Sequence, residues 1–167
     1  MKSDEKFFAG DASIGVTEKN KDLAKTLLDT LLASDFVLYV KTLNFHWNME
    51  GPRFVPFHKL LNDQYEQLAE MLDEMAEATR QLDRKSVASM AEFQSLSHIK
   101  EQPGVSLDET AMISALLSDH ERIIANLRMS IAKAEDAKEL GDIVDYLVSW
   151  LEKHQKMAWM LRASLRK

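Results

Sequence analysis

Along residues 113–131 the positions Ile113, Leu117, His120, Ile124, Leu127 and Ile131 recur at alternating steps of four and three. That is the period of one buried stripe on a helix. Ile143, Leu147, Trp150, His154, Met157 and Leu161 repeat it nearer the end of the chain. Glycine and proline punctuate the sequence in four places only: Gly10 and Gly15, then Gly51, Pro52 and Pro56, then Pro103 and Gly104, then Gly141. The breaker-free stretches beyond them run to about 35, 46, 36 and 26 residues, far beyond a strand's usual length, so they read as helices. Thr17 and Ser106 supply helix starts, and Glu109, three residues after Ser106, completes a capping-box pattern. The expected helices are 17–49, 56–82, 106–134 and 141–165.

The second stretch is not helical throughout. Asp83-Arg-Lys-Ser carries no stripe, and Ala91 to His98 offers about two turns of weak amphipathic pattern. The expected fold class is therefore all-α: four long helices, with a short extra helix in the long connection between the second and third. Tight first and last connections with one long crossover suit a ferritin-like four-helix bundle. Residues 1–16 read as a flexible N-terminal tail and 17–167 as one domain.

Composition narrows the chemistry. At 167 residues, with 46% hydrophobic and 29% charged residues, the chain has the size and balance of one folded domain. With no cysteine, thiolate zinc, iron–sulfur and cysteine-nucleophile chemistry is excluded, so any metal must be held by His, Asp or Glu. A net charge of −6 disfavours nucleic acid as a partner. No stretch reaches the roughly 20 apolar residues of a membrane span, and the first residues lack the apolar core of a signal peptide, so a cytoplasmic location is expected.

The second helix carries the candidate chemistry. Taking His58 as zero and about 100° per residue, Asn62 falls near 40°, Asp73 near 60° and Glu77 near 100°. Leu61, Leu68, Leu72, Met75 and Leu82 fall between about 240° and 320°, so the polar face points away from the helix's own core. His58 and Asn62 are one turn apart, as are Asp73 and Glu77, but roughly 16 Å of axis separates the two pairs. One ion needs ligands within about 2.2 Å of itself, so the helix offers two half-sites. His46, brought round by Gly51-Pro52, joins the first. A two-fold axis that runs two copies of this helix antiparallel completes both, with Asp73 and Glu77 of one chain meeting His46 and His58 of the other. The plainer alternative is a solvated acidic face beside ordinary helix-end histidines. Di-iron ligation inside the bundle needs Glu-x-x-His motifs. Leu43, Val55, Ser95, Leu117 and Leu151 stand three before the five histidines instead. His120 and His154 accordingly read as hydrogen-bonded core residues.

Several stretches together resemble the Dps family, the miniferritins named as DNA-binding proteins from starved cells. They are Lys41-Thr-Leu-Asn-Phe-His46-Trp47-Asn48-Met-Glu-Gly51, Phe54 with His58, Gln64-Tyr65, Asp73-Glu-Met-Ala-Glu77 and His154-Gln-Lys-Met-Ala-Trp159-Met-Leu-Arg-Ala. The resemblance spans roughly residues 20–165 and implies a hollow twelve-subunit homo-oligomer. It implies iron, Fe(II) oxidised to Fe(III), as the metal at sites on the two-fold interfaces, with hydrogen peroxide as preferred oxidant and ferric mineral stored inside. It implies His46 and His58 from one subunit, Asp73 and Glu77 from its mate, and Trp47 as an electron donor; packing at the interface is the plainer reading of Trp47.

The departures from the family pattern are specific. Asn62 stands where a ligating carboxylate is usual, which predicts weaker binding in one of two iron positions. Glu66, near 80° on the same face, is placed either to compensate or to face solvent. Ala78 replaces a usual Arg, and Asp83 replaces a usual helix-ending Gly. Asp145 matches an aspartate of the family's iron-entry pore by count back from Trp159, while Asp142 is shifted by register; the plainer reading is that both simply favour the start of the last helix. DNA binding is expected to be weak or absent, because Lys2 and Lys6 are outnumbered by Asp4, Glu5 and Asp11, and Arg162, Arg166 and Lys167 suit a helix end. The rival reading is a structural or DNA-compacting shell whose iron site is impaired by Asn62.

Overall fold

The computed structural model describes residues 12–104 and 108–166. Its elements are α1 (Glu18–Asn48), α2 (Phe54–Gln81), the short α3 (Met90–Leu96), α4 (Glu109–Asp136) and α5 (Gly141–Leu165), with no strand among the described residues. α1 pairs with α2 and α4 with α5, α1 joins the two hairpins through α4, and α3 packs on α1. This is the four-helix bundle with a short helix in its crossover that the stripes predict. Ile113, Leu127, Ile143, Leu147, Trp150, Met157 and Leu161 are all buried in it.

Local chemistry sets the boundaries. Pro56 lies in the first turn of α2, where a backbone N–H has no helical partner to lose. Asp83 ends that helix at φ 58°, the left-handed conformation for which a glycine is usual, and its N–H closes on the Arg80 carbonyl. Ser89 and Glu92 form a reciprocal capping box that starts α3. Thr17 holds the N-cap position of α1 as expected, though not through its side chain, and the expected cap of α4 is replaced. Thr17 precedes α1 without a side-chain cap, and its hydroxyl donates to Glu139 instead. α4 starts at Asp108, whose carboxylate accepts from the Ala111 N–H. Ser106 lies outside the described residues, and Glu109 turns away to bind Arg53.

That Glu109 contact fixes the α1–α2 turn. Its carboxylate accepts from the Arg53 backbone N–H at 3.1 Å and from Arg53 Nε at 2.7 Å. Gly51 has φ 134°, and a Cβ there would lie 2.6 Å from Glu109 Oε2. Only glycine satisfies both the backbone angle and the close approach.

The interior is not wholly apolar. His120 and His154 are fully buried with their Nδ1 atoms 2.9 Å apart, and His154 Nε2 lies 3.2 Å from Asp35 Oδ2. Lys41 reaches Asp119 at 2.5 Å. Both histidines are thus hydrogen-bonded core residues. Burial, and then the neighbouring His154, push His120 well below the usual histidine range. Of the residues expected in a tail, Ala12 donates its N–H to Asp83 and accepts from the buried Lys21, while Val16 packs against the core. Residues 1–11 lie outside the described part.

Candidate metal centre

α1 ends and α2 begins on either side of the Gly51 turn, which lays the His46 and His58 rings against each other, centroids 3.8 Å apart and 16° from parallel. His46 Nδ1 lies 2.9 Å from the His58 carbonyl oxygen, and His58 Nδ1 lies 2.9 Å from the His46 carbonyl oxygen. A carbonyl can only accept, so each Nδ1 carries the proton and donates. In the neutral ring the lone pair then sits on Nε2. Fixing one ring nitrogen on a backbone carbonyl is how proteins orient an imidazole whose other nitrogen binds metal.

Around this pair, Phe54 packs at 4.9 Å on His58, and Tyr65 presents its edge to His46 at 5.1 Å. The Tyr65 hydroxyl donates to Asn62 Oδ1 at 2.9 Å. The spacing that singled out Asn62 could not reveal this tie, although Tyr65 three residues on permits it. Trp47 is 70% exposed, while His46 is only 7% exposed.

The acidic half of the pattern lies apart. Asp73, Glu77 and Glu66 are exposed on α2, as a face turned from the bundle core requires. Glu74, between Asp73 and Glu77 in sequence, instead accepts from Trp150 Nε1 at 2.9 Å and Lys153 at 3.0 Å. Burial raises its carboxyl pKa, but these two donors outweigh burial and hold it low. Among the described residues no three His, Asp or Glu side chains gather tightly enough to hold an ion. The histidines and the carboxylates are therefore separate groups within one chain. Asp142 and Asp145 are exposed near the start of α5. Ala78 is fully buried, so an arginine there would have to displace core atoms.

Residues 25–167 match the model of the ferritin-like domain. The chain is 36% identical over 151 residues, 90% of its length and 84% of the relative's, to an uncharacterized low temperature-induced protein of Nostoc sp.. It is 36% identical over 143 residues, 83% of its length and 94% of the relative's, to the DNA protection during starvation protein 2 of Bacillus anthracis. The chain belongs to the Dps family. The Dps of Thermosynechococcus elongatus superposes with a TM-score of 0.84 at 29% identity, covering 89% of this chain and 94% of that one. Family membership and the ferritin-like fold thus agree with the bundle read from the stripes. No described helix is long and apolar enough to cross a membrane.

Proposed function

We propose that this Dps-family chain forms a homo-oligomeric shell, of twelve subunits on the family pattern, that oxidises Fe(II) with hydrogen peroxide, or with oxygen, at its two-fold interfaces and stores ferric mineral inside. The observation that carries the reading is the reciprocal tie between the stacked rings of His46 and His58, because it leaves an Nε2 lone pair on each of them for a cation. His46 and His58 of one subunit bind the ion together with Asp73 and Glu77 of the partner subunit, each carboxylate supplying charge to a hard cation. The split of ligands into two groups on one chain supports a shared site. So do Trp47 and Met90, apolar, more than half exposed and lining one cavity between α1 and α3, since monomers rarely leave such residues together in water.

The chemistry balances simply. Two Fe(II) ions give one electron each, and peroxide takes both with two protons and leaves as two waters. No hydroxyl radical is released, which accounts for protection from oxidative stress. Asp142 and Asp145 guide Fe(II) inward by their field. The shell works in the cytoplasm, with DNA bound weakly or not at all.

The test is anaerobic addition of Fe(II) to the metal-free protein followed by peroxide. The wild type should give soluble ferric product and consume peroxide, while the Asp73→Ala/Glu77→Ala variant should lose the rapid phase. Iron that precipitates as it does without protein would leave a structural shell as the better reading.

A further inference from the structure

α2 begins without the side-chain cap that helix starts favour. Its N-cap is Arg53, whose side chain makes no bond to the first turn, and Pro56 in that turn has no N–H to give. The turn is held from outside instead. The Arg53 guanidinium donates from Nε to Glu109 Oε1 at 2.7 Å, from Nη2 to Thr110 Oγ1 at 2.7 Å and from Nη1 to the Ser164 carbonyl at 3.4 Å. Glu109 and Thr110 open α4, and Ser164 lies in the last turn of α5, where a carbonyl has no helical partner. One planar cation thus latches the turn of the first hairpin to both open ends of the second.

The same guanidinium lies 4.8 Å from the centre of the Phe57 ring, and the Phe57 N–H donates to the Arg53 carbonyl at 3.1 Å. Phe57 is buried, and His58 follows it directly. With 42% of its side chain exposed, Arg53 gains little stability from an ion pair. Its rigid fork of donors supplies direction rather than energy. We propose that Arg53 is a positioning residue for the histidine half of the centre. By holding the first turn of α2 it sets where the His58 Nε2 lone pair points and, through the two ring-to-carbonyl bonds, where that of His46 points. This rests on the shared-site reading proposed above. A lysine at position 53 would keep the charge but not the fork, so it could not reach Glu109, Thr110 and Ser164 together.

The test compares Arg53→Lys with Arg84→Lys in the assembled metal-free protein. Arg84 is the matched control, because it makes a similar fork, to Asp22 at 2.7 Å and Glu18 at 2.6 Å, at the other end of the α1–α2 hairpin. Asp22 is about 36 Å of helix axis from His46. Zinc(II) calorimetry reads affinity, and the visible absorption of bound cobalt(II) reads coordination geometry. Arg53→Lys should weaken zinc about tenfold, the scale for losing an outer contact that orients a ligand, and should change the cobalt spectrum. Thr110→Val, which deletes one arm of the latch and leaves the turn untouched, should change that spectrum in the same direction by less. Arg84→Lys should match wild type in both readouts. Arg53→Lys and Thr110→Val titrations that superpose on wild type, or an equal loss in Arg84→Lys, would overturn the proposal. Absence of tight zinc from wild type, or its persistence in Asp73→Ala/Glu77→Ala, would instead overturn the shared site beneath it. Circular dichroism and light scattering check that each variant is folded and assembled.

Discussion

At the scale of single residues, the two histidine pairs of this chain are arranged for opposite purposes. His46 and His58 each spend Nδ1 on a backbone carbonyl and keep Nε2 for an incoming ligand. His120 and His154 spend Nδ1 on each other, and His120 Nε2 is left buried with no partner among the described residues. Because burial holds His120 neutral in the folded state, its folded pKa lies below the unfolded value of about 6.5. The unfolded chain then binds more protons as pH falls through that value, so stability is full above it and lost below it. The unfolding free energy from urea titrations should fall as pH drops from about 6.5 to 5, by at most about 1.4 kcal/mol per pH unit from this group. A stability that holds steady or rises over that window would show that His120 is not kept neutral. Sequence showed both pairs only in part. The stripe placed His120 and His154 in the core, and Gly51-Pro52 placed His46 beside His58. The bonds to carbonyl oxygens had no sequence signal, since every residue carries a carbonyl.

At the scale of elements, helix ends explain what was legible and what was not. Stripes at steps of three and four marked α4 and α5, and a residue-by-residue departure, Asp83 for glycine, marked the left-handed end of α2. The start of α4 was misread because Ser106 and Glu109 satisfy a local rule, whereas Asp108 takes the cap and Glu109 pairs with Arg53 from 56 positions away. A local motif cannot announce that its acidic member is claimed by a distant cation. Two substitutions probe these ends. Lys138 follows α4 at φ 51° in an exposed position, so Lys138→Gly should raise stability by roughly 0.5–1 kcal/mol, read as a higher melting temperature. Gly51→Ala should do the reverse and more. The new Cβ meets Glu109, and loosening the turn separates the imidazoles, so unfolding should come at least about 1–2 kcal/mol earlier with zinc affinity reduced.

At the scale of the whole molecule, the interior of the bundle is filled by its own side chains: Asp35, His154 and His120 form one hydrogen-bonded chain, and Lys41 pairs separately with Asp119. The ferritin-like fold therefore turns its candidate chemistry outward, onto the α1–α2 face. Charge follows the same division. The chain carries a net −6, and Arg162 in its last helix pairs with Glu121 rather than standing free for phosphate. A gel-shift titration at physiological salt should show no retained DNA, and retention that weakens steeply with added salt would point to a basic surface after all.

The separation of the two histidines from the two carboxylates along α2 makes the proposed site obey mass action in the protein itself. A newly made chain holds only halves, so it presents no centre at which peroxide could meet bound iron. Catalysis per chain then depends on concentration, falling on dilution as dimers part and returning when they re-form. On this proposal oxidation is licensed by the pairing of chains, the same step from which a closed shell would be built.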